Sequence, residues 1–452
     1  MRRLLCSALA VAFALNPIVP DVGMADPHVH LFNGTYYVYA THDFSRNNTD
    51  FLMKDWFVWS SADLVAWTRA AVLPPANTSS TSPTECWATD AAFRGGAYFW
   101  YLSFGLTAIG VVKAPTPTGP WADPLGAPLV NASVAASLHT QMRDPCAFID
   151  DDGTPYLLAG WLNFQIARLN EDMVSFAEPW RAVPVRNPTG PNGNGTDDKP
   201  FLFKRSGVYY LSWGCFYATG ASVYGPYEYV GSVIDSAAIA PAFRMNDTAP
   251  GPWYAHKDYA GRHGSFWESR GQWFFATTDW SHSSDTAHRN FFRDTVLCYV
   301  HFYGNGSIAP VVINEIGVGE YDGGLVEAEN YMELLGEASK THAPAQSAAF
   351  VVSIDGPSAR LAFPRVRAGK GRGGLRLVAA NAGGRDVTVV ARAGGTIFAT
   401  CTLPPSRGEF AVTDCNLTVQ EGGARSFDIH LTFEGSAAPL LLSLDSFSLM
   451  MP

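Results

Sequence analysis

The sequence predicts an all-β protein, a five-bladed β-propeller followed by a β-sandwich. Three observations carry that prediction. One strand-turn-strand phrase recurs five times, no stretch between the copies sustains a helical period, and the texture of the chain changes after residue 322. Each copy starts on a polar residue, runs as an alternating apolar strand, turns at a glycine and returns as an aromatic-rich strand. The starters are Asp26, Asp90, Asp144, Asp198 and His263, spaced 54 to 65 residues apart. Hairpins repeated this way bury their faces only against their neighbours, which suits blades around an axis. The first strand of every blade then lines a central channel, so equivalent first residues gather at one mouth. Four carboxylates and an imidazole are expected to converge there.

Taken in order, the chain opens with MRRLLCSALAVAFALNP, two arginines and an apolar run ending in Ala12-Phe13-Ala14. That small-x-small pattern is what signal peptidase cuts after, so residues 1–14 read as a signal peptide and the protein as secreted. No other stretch reaches the roughly 18 apolar residues of a membrane span. The propeller is expected over residues 15–322. Its first blade begins ADPHVHLFNGTYYVYATHDF and its second ATDAAFRGGAYFWYLSF. The third begins RDPCAFIDDDGTPYLLAGW, the fourth DDKPFLFKRSGVYYLSWG, and the fifth RHGSFWESRGQWFFATTDW. A lone Asp-Pro pair is an ordinary turn starter; repetition in register gives Asp26 its meaning. All 13 tryptophans lie before residue 281, and residues 325–452 are short Val/Leu/Ala strands with Gly-rich turns, a second all-β domain.

Composition narrows the partners. A formal charge of −10 with no Lys/Arg cluster argues against nucleic acid and against an anionic membrane, and favours a neutral substrate. Seven cysteines fall to six once Cys6 leaves with the signal peptide, an even number suited to an oxidising compartment. Cys401 and Cys415 flank a Pro-Pro-Ser-Arg-Gly turn and could bridge. No Cys/His spacing matches a zinc site. Eight Asn-x-Ser/Thr sequons, at Asn33, Asn47, Asn77, Asn131, Asn194, Asn246, Asn305 and Asn416, agree with passage through a glycosylating pathway.

The phrases NPIVPDVGMADPHV, WSSADLVAW, CWATDAAF, RDPCAFIDDDGTPYL, KPFLFKRSGVYYLSW and HGSFWE together resemble glycoside hydrolase family 43 from about Asn16 to Asp322. The resemblance implies a five-bladed hydrolase of arabinose- or xylose-containing glycans that acts with inversion, a monomer whose partner is a polysaccharide or oligosaccharide. It places Asp26 as general base, Asp144 as the acid-orienting carboxylate and Asp198 as general acid. The family usually has Glu where Asp198 stands, so the carboxyl reaches about 1.5 Å less far, one C–C bond. Asp197 and Glu268 are the alternative donors. His263 falls where the family commonly uses histidine beside a central metal, often calcium. Trp87 matches a sugar-lining aromatic, Asp90 is expected to face substrate, and Arg293 to bind sugar hydroxyls or hold a carboxylate ionised.

In the second domain VEAENYM, RLVAANAGGRDVTVVARAGG and LLLSLDSFSL resemble a carbohydrate-binding module of family 6. There Glu327, Glu329 and Asp445 match ligands of a structural calcium. Its single tyrosine, Tyr331, and lack of tryptophan leave little to stack on a sugar. Two other functions compete with the hydrolase. A lectin-like propeller would bind glycan without cutting it, and a fructan-cleaving propeller would share the Arg-Asp-Pro motif. In the fructan enzymes an acid Glu-Cys follows that motif, whereas Glu85-Cys86 precedes it here.

Overall fold

A computed structural model describes residues 16–48, 50–188, 195–241, 262–279, 291–322, 324–343, 350–370, 374–418, 426–435 and 439–451. The segment read as a signal peptide lies outside the described residues, as do the sequons at Asn194 and Asn246.

Blade I is an antiparallel sheet of β1 (Met24–Phe32), β2 (Thr35–Asp43), β3 (Met53–Ser61) and β4 (Thr68–Leu73). Blade II holds β5 (Cys86–Arg94), β6 (Ala97–Phe104) and β7 (Ala108–Ala114). Blade III holds β8 (Cys146–Ile149), β9 (Pro155–Ala159), β10 (Gln165–Arg168) and β11 (Arg181–Ala182). In blade IV, β12 (Val185–Arg186) adds to the outer edge of a sheet made by β13 (Phe201–Arg205), β14 (Val208–Trp213), β15 (Phe216–Gly220) and β16 (Tyr227–Ser232). A short β17 (Ile234–Ile239) follows, and blade V holds β18 (Gly264–Ser269), β19 (Gln272–Asp279) and β20 (Asp294–Val300).

The turn chemistry explains why the blades look alike. Asn33-Gly34, Gly95-Gly96, Ser206-Gly207 and Arg270-Gly271 join the first two strands of four blades, and both residues of each pair have positive φ. Two-residue turns of that kind match the twist of antiparallel strands, and glycine at the second place adopts the conformation without a Cβ clash. Aromatic side chains fill the space between blades. Phe266 of blade V lies between Phe203 of blade IV, at 4.8 Å, and its own neighbour Phe275, at 4.4 Å. Full burial of one such ring contributes about 1.5–3 kcal/mol.

The innermost strands close a ring, since β1 touches β5, β5 touches β8, β8 touches β13, β13 touches β18 and β18 touches β1. The start of the chain clasps the last blade. The Asn16 amide donates to the carbonyls of Leu297 (2.9 Å) and Asn314 (3.0 Å), and its Oδ1 accepts the Leu297 N–H (2.8 Å).

From Tyr321 onward a six-stranded and a seven-stranded sheet enclose a separate core that includes Val326, Leu361, Phe363, Val389, Ile429 and Phe447. Cys401 and Cys415 form a disulfide, but their strands do not pair as a hairpin: Thr396–Leu403 and Ala411–Cys415 belong to different sheets, so the bridge ties the sandwich across. Cys86, Cys146, Cys215 and Cys298 are buried and form no disulfide among the described residues. The sandwich is bonded to the edge of blade V. The Gln272 amide donates to the carbonyls of Glu329 (2.8 Å) and Tyr331 (2.9 Å), and the Tyr331 hydroxyl donates to Gly271 O (2.8 Å). Tyr331 is only 1% exposed, so it packs in this joint and offers no ring face to a sugar.

Candidate active site

Asp26 sits where β1 changes register, at φ +50° directly before Pro27. Proline gives up its ladder N–H, and the left-handed residue before it re-aims the Asp26 carboxylate toward the channel mouth. Four contacts hold that residue. Its N–H donates to Thr278 Oγ1 (2.9 Å), Oδ2 accepts from Thr41 Oγ1 (3.0 Å), and Oδ1 lies 3.1 Å from His263 Nδ1 and 3.3 Å from Arg293 Nη1. Burial pushes the Asp26 pKa up, but Arg293, then His263 and Lys199, outweigh it and hold the carboxyl far below the usual range. Asp26 is therefore an anion at any working pH.

Across the mouth, His263 Nε2 lies 2.6 Å from Asp198 Oδ1, so one imidazole spans the two carboxylates. Its pKa would fall with burial, yet Asp198 and Asp26 raise it to about 10. Two hydrogen bonds and a ring width put the facing oxygens about 7–8 Å apart, within the roughly 6.5–9.5 Å that leaves room for an attacking water. Asp198 Oδ2 also meets Arg143 Nη2 at 3.2 Å. Burial is again outweighed, here by His263 and Arg143, and the Asp198 pKa falls to about 2. Asp197 behaves oppositely. Burial and then the Asp198 charge raise it to about 7, and its carboxyl lies within 4.8 Å of Asp198 and His263. Asp144 is set like Asp26, at φ +57° before Pro145, and its Oδ2 accepts the Lys199 N–H (3.0 Å). Burial raises its pKa to about 6 against the pull of Arg143.

Asp26, Asp144, Asp198 and His263 thus meet at one mouth, and several other expectations need correction. Asp90 does not open onto the mouth. It is 1% exposed and lies deeper in the channel, where His28 Nδ1 (2.6 Å) and His30 Nε2 (2.7 Å) converge on Oδ1 and the Ala147 N–H donates to Oδ2. The β5 bulge between Trp87 and Thr89 corresponds to the β1 bulge at Asp26, so Ala88 takes the place of Asp26 and Asp90 falls two residues further along the strand. Arg293 is likewise closed off, 3% exposed. It is buried in a two-pronged pair with Asp43 (2.9 Å at each prong) and holds Asp26 ionised, the other role expected of it. Glu268 is exposed, and its Oε1 caps the Arg270-Gly271 turn through the Gly271 N–H (2.6 Å), away from the mouth.

Trp87 is half-buried and faces the Arg143 guanidinium at 5.7 Å, with Trp161 facing the same group at 5.8 Å. The pair flanks Asp198, and beside Trp161 opens a cleft of about 370 Å³ lined by residues such as His139, Gln141 and Asn163. Arg143, Trp161, Asp43 and Lys199 were missed by reading the sequence. Arg143 and Lys199 stood in plain view inside RDP and DDKP, whereas nothing local marks Trp161 or Asp43.

Calcium can be weighed against the donors present. In the sandwich Glu327 and Glu329 come together. Burial, then Glu327, raises the Glu329 pKa to about 9, and its buried Oε2 has no hydrogen-bond partner, a donor pair suited to a hard cation. Asp445 is buried nearby on the strand that pairs with Glu327, but it does not join them in a tight cluster. At the mouth both His263 nitrogens already face carboxylates, so a cation could take one only by displacing that bond.

Residues 14–302 match the family described as Glycosyl hydrolases family 43. The chain is 29% identical over 342 residues to a beta-D-galactofuranosidase of Aspergillus niger, an alignment covering 70% of this chain and 90% of that protein. It is 25% identical over 483 residues to an arabinoxylan arabinofuranohydrolase of Paenibacillus polymyxa, covering 96% of this chain and 74% of that one. Among solved structures, a family 43 arabinoxylan arabinofuranohydrolase from Bacillus subtilis, in complex with cellotetraose, superposes with a TM-score of 0.56 at 21% identity over 98% of both chains. CoXyl43, a beta-xylosidase/alpha-arabinofuranosidase from a compost metagenome solved with xylotriose in a calcium-free form, gives 0.52 at 24% identity over 66% of this chain and 97% of that one. At these identities the two structures speak for the fold alone.

Proposed function

The chain belongs to glycosyl hydrolases family 43, glycosidases of O-glycosyl bonds, and from that premise we propose that it removes arabinofuranose or xylose units from hemicellulose with inversion. The observation that carries the reading is the pair of carboxylates held by the two nitrogens of His263. Asp26, kept anionic, takes a proton from water as it attacks the anomeric carbon. On the far side the leaving oxygen needs a proton, and the Asp197–Asp198 pair supplies it, with the proton resting on Asp197. Asp144 braces the start of blade IV and sets the field around that pair. Trp87, Trp161 and the adjoining cleft offer apolar faces and room for the rest of the polymer.

We also read the chain as secreted, from its first residues and from six sequons, Asn33, Asn47, Asn77, Asn131, Asn305 and Asn416, that are all exposed. A structural calcium on Glu327 and Glu329 belongs to the same proposal; it would offset the burial of the Glu329 carboxyl beside Glu327. The direct test is pentose release from arabinoxylan and from aryl arabinosides and xylosides, with Asp26→Asn as control. Full activity in that variant would refute the assigned base. Glycan binding without turnover of a natural glycosidic bond would instead support the lectin reading, which the ionised state of Asp198 keeps in play.

A further inference from the structure

The blade IV counterpart of Asp26 and Asp144 is Lys199, one residue on from Asp198. All three precede a proline, at Pro27, Pro145 and Pro200, and have φ of +50°, +57° and +52°. Each sends its N–H to a side chain of the preceding blade, Thr278, Ser103 and Asp144 respectively. Two of these equivalent positions present a carboxylate. The third turns an ammonium into the channel, in a backbone conformation that suits glycine better than a long side chain.

Lys199 Nζ lies 3.0 Å from the carbonyl of Asp26 in blade I and 3.5 Å from that of Thr89 in blade II, and the residue is 1% exposed. Burial lowers its pKa, but Asp26, Asp144 and Asp90 surround it with opposing charge. Four basic side chains, Arg143, Lys199, His263 and Arg293, already face the carboxyls of Asp26, Asp43, Asp144 and Asp198. A divalent ion would have to compete with Asp26 and Asp198 for the two His263 nitrogens. The donors at the axis therefore do not fit a resident metal.

We propose that the Lys199 ammonium is the resident cation of the propeller axis, a positioning residue that ties the backbone carbonyls of blades I and II to blade IV at the place where a bound metal ion would otherwise be needed. This rests on the glycosidase reading above. The test compares wild type with Lys199→Ala, which leaves a space the size of propylammonium. After stripping with EDTA, wild-type kcat stays the same, and millimolar calcium does not change it. Lys199→Ala loses at least tenfold in kcat, recovers part of it with added propylammonium or calcium, and binds one more calcium per chain than wild type by equilibrium dialysis. Equal calcium stoichiometry in the two proteins overturns the proposal, and that readout holds whether or not any glycoside is cleaved. So does a wild type that loses kcat on chelation and regains it with calcium, an arm that needs no variant to fold.

Discussion

At the scale of single residues, the site works by pushing similar carboxyls apart. Arg293 and His263 drive Asp26 down, while burial and the neighbouring Asp198 drive Asp197 up to about 7. Asp26→Asn is expected to lower kcat by about 10²–10⁴, the order a general base contributes, and to lower the melting temperature as well, because Arg293 and His263 lose the charge they face. If Asp197 keeps the proton for the leaving group, kcat falls as pH rises through about 7, and Asp197→Asn removes that limb along with most of the activity. An unchanged alkaline limb in that variant would assign the donor elsewhere. Asp26, Asp144 and His263 were legible in the sequence because their blade starters repeat. Asp90 misled because it is the acidic residue of its phrase, although strand register puts Ala88 at the place of Asp26, and the protonation states were unreadable because they depend on Arg293 and Arg143, each far along the chain from a carboxyl it governs.

At the scale of elements, the blades are defined by their x-Gly turns and by residues in left-handed conformation before proline, and both were visible as recurring phrases. What held the circle shut was not. Asn16 satisfies both backbone groups of Leu297 inside the protein, so Asn16→Ala leaves a buried N–H and C=O unpaired and is expected to cost about 1–3 kcal/mol, read as a lower midpoint in urea. The bridge between Cys401 and Cys415 closes a sequence separation of 14 residues, for which chain entropy suggests about 3 kcal/mol. Replacing both cysteines by serine should lower the melting of the sandwich without altering kcat. The spacing of the two cysteines suggested the bridge, but not that it joins opposite sheets, which depends on strand order rather than on the turn between them.

At the scale of the whole molecule, the same charges that serve the reaction set its pH dependence. The folded pKa of His263 is raised from 6.5 to about 10, so its contribution to stability is complete below 6.5 and is lost as pH rises toward 10. Asp197 is raised from 3.8 to about 7, which likewise takes stability away as pH rises through that window. Asp26 and Asp198 are depressed, so their contribution is present above 3.8 and lost as pH falls below it. The melting temperature should therefore peak in mildly acidic buffer and decline from pH 6.5 to 10; a rise over that range would contradict the assigned charges. Both halves of the molecule were readable from texture alone, whereas the polar joint from Gln272 to Glu329 and Tyr331 needed the fold. Above all, Asp26 and the Asp197–Asp198 pair are proposed to act from opposite sides of the sugar. Proton NMR of the first product formed from a xylo- or arabino-oligosaccharide tests this directly: the anomer is expected to be inverted relative to the substrate, and a first-formed sugar of retained configuration would contradict that arrangement.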